Sequence, residues 1–228
     1  MMSGIYEVID SSLAQQLRFA TISNNLSNIN TNAFKKEIMS FDQALTMNIV
    51  SATVFSPGPT RYTGNELDVA ISGPGFFKVQ TPRGIRYTRN GSFTINSEGL
   101  LVTRNGDAIL GQNGPISINS GKISIGIDGQ VAADNEPVDK IVVVDFEAPQ
   151  QLKKEGMSYY GYQGGEEGVY NSDNINIQQG YIENSNVNPT EEMIKMVEAL
   201  RLFESAQKAI QCLDEVNQKM VNDVGLLQ

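Results

Sequence analysis

The apolar residues of this 228-residue chain change their spacing twice. Near both ends they recur at steps of three and four, and in the middle at steps of two. The first spacing lines one face of a helix and the second one face of a strand, so the chain is constrained to helix, then strands, then helix. The C-terminal run is the stronger signal. Asn188 can cap it, Pro189 occupies the first helical position, and Glu191 stands where its carboxylate can reach back to the N–H of the cap. Met193, Met196, Val197, Leu200, Phe203, Ala206, Ile210, Leu213, Val216, Met220 and Val224 then hold the helical period until Gly225 offers a stop. A run of roughly 35 residues spans about 50 Å. That is long for a globular helix and calls for a coiled-coil partner.

At the other end Ile5, Val8, Ile9, Leu13, Leu17, Ile22, Leu26 and Ile29 line a second amphipathic helix of roughly seven turns, ending in the Asn-rich stretch before Phe34. Both stripes are narrow, as in a coiled-coil seam. Neither helix has an obvious partner surface in the chain except the other, and one narrow pair in water is marginal. Two arrangements follow: either the helices pack on the central strands, or they finish folding against copies of themselves or related chains.

Between the helices, Asn90-Gly91, Asn105-Gly106, Asn113-Gly114, Asp128-Gly129 and Glu98-Gly99 separate short apolar runs. Such pairs accept the positive φ of two-residue hairpin turns, which predicts a compact antiparallel β domain. The expected class is α+β, with terminal amphipathic helices forming a coiled-coil-like layer and a central all-β domain. The expected domains are residues 1–36 with 180–228 for the helical part and 67–148 for the β part. Residues 37–66 and 149–179, rich in turn formers and weakly periodic, are expected as connectors. Phe76 and Phe77 are adjacent, so in one strand they face opposite sides of the sheet. One belongs to the core; the other needs a connector, a neighbour or solvent to cover it, a second small apolar layer under 149–179 being one possibility.

Composition excludes much chemistry. With no histidine and one cysteine there is no Ser-His-Asp or Cys-His pair, no His-containing zinc site and no intrachain disulfide. Cys212 falls in the helical run and is expected to be a small buried hydrophobe. The net charge of −9 argues against nucleic acid or anionic lipid as main partner. No apolar run approaches the ~18 residues of a membrane span, and residues 1–17 lack the Lys or Arg of a secretory signal. Gly73 and Gly75 are expected at turns or bulges, since no strand-to-helix unit with phosphate-loop spacing follows them. Glu183, Glu191, Glu192 and Glu204, with Lys195, Arg201 and Lys208, are expected on a solvated face. Arg201 could also bridge a carboxylate of another chain. No catalytic, cofactor or metal residue is expected. The alternatives are a secreted adhesin-like module and a carbohydrate-cleaving enzyme built on carboxylates.

Specific motifs point further. Ile22-Ser23-Asn24-Asn25-Leu26-Ser27-Asn28-Ile29-Asn30-Thr31-Asn32-Ala33-Phe34-Lys35 resembles the N-terminal signature of bacterial flagellar rod and hook proteins. Gly180-Tyr181-Ile182-Glu183-Asn184-Ser185-Asn186-Val187-Asn188, followed by Glu192-Met193 and Arg201-Leu202-Phe203-Glu204, resembles their C-terminal signature. Leu67 to Val79 and Tyr87-Thr88-Arg89-Asn90-Gly91-Ser92-Phe93 are similar to the β-domain motifs of the rod members. Within the family, the short length and Ile109 to Ile116 are nearer to proximal-rod than to distal-rod members.

The resemblance implies a non-enzymatic rod subunit whose terminal helices form the inner layer of a helical tube. Its partners would be other rod subunits, copies of itself and the flagellar type III export apparatus, with the periplasmic rod as destination and no cleaved signal. The residues expected at assembly contacts are Asn24, Asn25, Leu26, Asn28, Phe34, Met193, Met196, Leu200, Arg201, Phe203, Ile210 and Leu213. Phe34 is also the simplest buried anchor for the chain leaving its helix. Ala33 stands where the family usually has Gly, and because Ala resists positive φ, Asn32 is expected to take that conformation if the turn needs it.

Overall fold

The long C-terminal helix begins where its cap dictates. The Asn188 side-chain oxygen accepts the backbone N–H groups of Thr190 and Glu191 at 3.1 and 3.4 Å, which have no carbonyl partner in the first turn. The structure, a computed structural model, describes residues 2–41, 49–118, 121–156, 158–172 and 175–225. The chain divides into two compact units. The helical unit holds α1 (Met2–Ser27), β1 (Glu37–Phe41), β2 (Ile49–Thr53) and the 37-residue α2 (Pro189–Gly225). The β unit takes in residues 28–36 and 53–187. The signature segments just inside each helix, expected with the helical part, therefore belong to the β unit.

Within the helical unit α1 and α2 pack against each other. On α2, Glu192, Met196, Ala199, Phe203, Ala206 and Ile210 are buried or half-buried at alternating steps of four and three, with Lys195 half-buried beside Glu192. That is a heptad seam. Opposite it, α1 buries Ala14, Ile22 and Asn25. The small side chains of Ala14 and Ala199 suit a close approach of the two helices.

Among the described residues every strand pairing of the β unit is antiparallel. Its first strands are β3 (Thr60–Tyr62), β4 (Val69–Ile71), β5 (Phe76–Thr81), β6 (Gly84–Thr88), β7 (Phe93–Ile95), β8 (Leu101–Thr103), β9 (Ala108–Gly111) and β10 (Gly114–Pro115). There follow β11 (Ile123–Ile125), β12 (Gln130–Ala133), β13 (Glu136–Lys140) and β14 (Val143–Phe146). The last are β15 (Leu152–Lys154), β16 (Tyr159–Tyr162), β17 (Val169–Asn171), β18 (Ile177–Gln179) and β19 (Tyr181–Glu183). One large sheet runs β15-β16-β6-β5-β9-β8-β7, with β10 on β9 and β14 joining β5 to β17. Smaller sheets are β11-β12-β13, β4 with β18, and β3 with β19.

The two faces of β5 settle the question of the paired phenylalanines. Phe77 enters the main core with Val69, Leu101, Ile109, Ile116 and Ile141. Phe76 points the other way and packs with Tyr87, Val144, Phe146, Leu152 and Tyr160. Its edge-on contacts to Phe146 and Tyr160 have ring centroids 5.5 and 5.7 Å apart, the geometry aromatic quadrupoles favour. The cover is the second apolar layer under residues 149–179. That segment, read as a connector, supplies β15, β16 and β17 to the large sheet.

Gly99, Gly106 and Gly129 take positive φ in turns between paired strands, and Gly114 does so as the first residue of β10, directly after the turn from β9. Asn90-Gly91 differs from its expected hairpin. Gly91 is where two backbones touch: its carbonyl accepts the N–H of Val69 at 2.9 Å, and a Cβ there would lie 1.7 Å from the Val69 carbonyl oxygen. Gly106→Ala, with open space around it, should cost about 1 to 2 kcal/mol for its positive φ. Gly91→Ala should cost distinctly more in urea denaturation, because backbone rather than a side chain has to move.

Candidate functional site

The three signature motifs, far apart in sequence, meet at one buried carboxylate. Glu183, 1 % exposed, ends β19. Its Oε1 accepts a hydrogen bond from the Nζ of Lys35 and another from the N–H of Gly58 at 2.8 Å. Its Oε2 accepts the Nε of Arg89 at 2.7 Å. Lys35 also donates to the Ser56 carbonyl at 2.9 Å. The remaining guanidinium nitrogens of Arg89 donate to the carbonyls of Gly75 and Gly73 at 2.8 Å and of Ile71 at 3.1 Å. This explains Gly73 and Gly75: their positive φ lets the loop turn its carbonyls inward. The cluster holds two cations and one anion, and burial pulls the ammonium of Lys35 down to about 8 against the opposing pull of Glu183.

Around it the terminal segments are laced together by backbone. The N–H of Ala33 donates to the Glu183 carbonyl at 2.8 Å. Asn186 accepts the N–H of Lys36 at 2.7 Å and donates to the carbonyls of Val54 and Ser56 at 2.8 and 3.0 Å. Ala33 itself adopts φ of 56°. The expectation that Asn32 would do so is corrected: the N–H of position 33 is the group that meets Glu183, and its buried surroundings hold it there despite the Cβ.

A second polar knot lies in the helical unit. The Asn25 side chain brackets Glu37 in β1, donating to its carbonyl at 2.8 Å and accepting its N–H at 2.9 Å. It also donates to the buried Glu192 at 3.1 Å, and Glu192 accepts from Lys195 at 3.0 Å. Asn25 thus ties α1, β1 and α2 together. The solvated placement expected for Glu183 and Glu192 is corrected in both cases, since each is enclosed with partners.

The residues expected at assembly contacts separate into three groups. Asn25 and Phe34 are enclosed by their own chain, Phe34 beneath the ammonium of Lys154 at 3.6 Å from its ring centroid. Leu26, Asn28, Met196, Phe203 and Ile210 are half-buried. Asn24, Met193, Leu200 and Arg201 are exposed, and the Leu213 side chain lies outside the described residues. Cys212 is exposed rather than buried: it lies off the seam set by Phe203, Ala206 and Ile210. The apolar period in sequence therefore merges two faces of α2. One meets α1; the other, with Met193, Ile194, Val197 and Leu200, is 42 to 58 % exposed. On α1, Leu13, Leu17 and Phe19 are likewise exposed. Among the described residues no cluster of carboxylates or thiols is arranged to hold a metal ion.

Comparison with known proteins places these motifs. Residues 70–133 match the flagellar hook protein FlgE/F/G D1 domain, and residues 178–223 match the flagellar basal body rod FlgEFG protein C-terminal region. The chain is 33 % identical to the flagellar basal-body rod protein FlgG of Buchnera aphidicola from Schizaphis graminum, over 91 % of this chain and 94 % of that one. It is 32 % identical to FlgF of Caulobacter vibrioides over 99 % of both chains. The chain belongs to the flagellar hook and basal-body rod family. It is a structural subunit of the flagellar rod and not an enzyme. Arg89 and Glu183 fall inside the two matched stretches and Lys35 outside them.

Glu183→Gln should be the most damaging change at the cluster, costing about 3 to 5 kcal/mol because two buried cations lose their counter-charge. Lys35→Met should cost less, since Arg89 still neutralises Glu183. Lys35 loses its proton near pH 8 when folded and near 10.5 when unfolded. Between those values the unfolded chain binds more protons, so stability should rise with pH. Denaturation curves at about pH 7.5 and 9.5 should show that rise in the parent and not in Lys35→Met.

Proposed function

We propose that this rod subunit is of the FlgF, proximal-rod type and assembles through the outward apolar faces of α1 and α2. The observation that carries this reading is the exposure of Leu13, Leu17 and Phe19 on one helix and Met193, Ile194, Val197 and Leu200 on the other. A monomer has no use for such a concentration of wet large apolar side chains on a two-helix unit, and copies or related rod subunits packing alongside would remove them from water. The proximal type is supported by the alignment with FlgF over 99 % of both chains and by the β9–β10 segment Ile109 to Ile116. The same reading makes the flagellar type III export apparatus a partner and the periplasmic rod the destination.

Val197→Asp and Leu200→Asp should change the stability of the purified chain by only about 0.5 kcal/mol, as expected for exposed positions, yet abolish its incorporation into purified basal bodies. Ala199→Asp, one residue away but buried, should instead destabilise the helical unit. Normal incorporation of Leu200→Asp would remove the outward face from the assembly. Complementation separates the two rod types: the parent chain should restore flagella to a host lacking its proximal-rod protein and not to one lacking the distal-rod protein.

A further inference from the structure

The large sheet is split on one side. β6 and β16 pair only at Tyr87 with Tyr160 and Thr88 with Tyr159. Beyond that, no ladder pairing joins Ile85 and Arg86 to Gly161 and Tyr162, and these residues line a groove of about 580 Å³. Lys78, Arg86 and Lys153 line it against the single carboxylate of Glu155. That carboxylate is already engaged by Arg86 at 2.8 Å and by Arg83 at 3.7 Å. Lys78 and Lys153 make no ion pair among the described residues. A groove of unneutralised ammonium groups on a chain of net charge −9 is a local inversion of sign, and it selects an acidic occupant.

The same chain carries an acidic projection. β12 and β13 are joined at Asp134-Asn135, both with positive φ, 51° and 68°, the rigid two-residue hairpin turn. Asp134, Asn135 and Glu136 are exposed, and β13 is an edge strand in which Pro137 blocks further pairing. The exposed Asp134 carboxylate lies against the neighbouring backbone, accepting the N–H of Lys122 at 2.9 Å, which fixes its place on the tip. The basic groove and the acidic tip are different patches of one molecule. An open-ended helical polymer needs that kind of contact, because head-to-tail growth joins two unlike, complementary surfaces, whereas a patch that fits itself closes a dimer.

We propose that the Asp134–Glu136 hairpin tip of one copy docks in the Lys78/Arg86/Lys153 groove of the next. The contact links β units and so adds a second, charge-based contact to the apolar one of the helices; it rests on the rod reading above. The test is charge reversal with rescue, read as the amount of this chain in purified basal bodies, with export measured separately in the medium. Lys78→Glu with Lys153→Glu should lower incorporation about tenfold, and Asp134→Lys with Glu136→Lys should do the same. The quadruple variant, which restores opposite signs, should return to about the parent level. Thermal melts of each purified variant establish that it folds; if Lys78→Glu does not, Lys153→Glu with Glu136→Lys carries the same test at two exposed positions. Normal incorporation of the groove variant, or a compensated variant as poor as its parts, overturns the proposal, the latter by showing that a different chain fills the groove. Absence of the parent chain from basal bodies would instead overturn the rod reading itself.

Discussion

A carboxylate enclosed between two cations is the constraint on which the β unit depends. Glu183 is held by Lys35, Arg89 and the amide of Gly58, and each of these comes from a different part of the chain. A buried ion cluster of this kind adds little net stability over a well-packed apolar substitute, since desolvation offsets most of the attraction. What it does here is exclude alternatives. Any pairing of the terminal segments that leaves Glu183 without Lys35 and Arg89 strands charge in the interior, so register is enforced where β3 and β19 are short and their hydrogen bonds alone specify it weakly. The Arg89 fork extends that enforcement to the Ile71–Gly75 loop, and through it to the strand that carries Phe76 and Phe77.

The helical unit follows a different economy. Its internal seam is built mostly of small and polar residues, Ala14, Asn25, Glu192 and Ala199, with Ile22 the one large apolar side chain fully covered among the described residues and Met196, Phe203 and Ile210 half-covered. The bulkier residues, Leu13, Leu17, Met193 and Leu200, face away. The pair is thus specified from within by hydrogen bonds of Asn25, while its outward large apolar side chains stay exposed. That division suits a subunit of a polymer, whose helices have to recognise each other before they meet a neighbour.

Much of this was legible in the sequence. Asn188 and Pro189 mark the start of α2, the Gly-containing pairs mark four of the five expected turns, and the adjacency of Phe76 and Phe77 requires two apolar layers. The motif resemblance led to the rod family. What resisted reading were residues whose role depends on distant partners. Lys35, Arg89 and Glu183 are charged, and nothing local distinguishes a charge that will be enclosed from one that will be solvated. Ala33 carries a left-handed backbone because its amide is needed elsewhere, a tertiary demand overriding local preference. Leu13 and Leu200 share the helical period with truly covered residues, because a helix with apolar side chains on two faces writes both into one pattern, and Cys212 lies within that run but off its covered face. Asn90-Gly91 has the composition of a hairpin but answers to the approach of Val69.

The separation in sequence between Glu183 and its partners has a kinetic consequence. Lys35 lies 148 residues from Glu183 and Arg89 lies 94, while Asn25 and Glu192 are 167 apart. Contacts this non-local cannot form until most of the chain is available, and chains dominated by them fold slowly because loop closure precedes the reward. A nascent chain emerging N-terminus first holds α1, Lys35 and most of the sheet while still lacking the carboxylate that joins them. Completion of the fold is therefore timed by the arrival of the C-terminal segment, and until then the chain remains open.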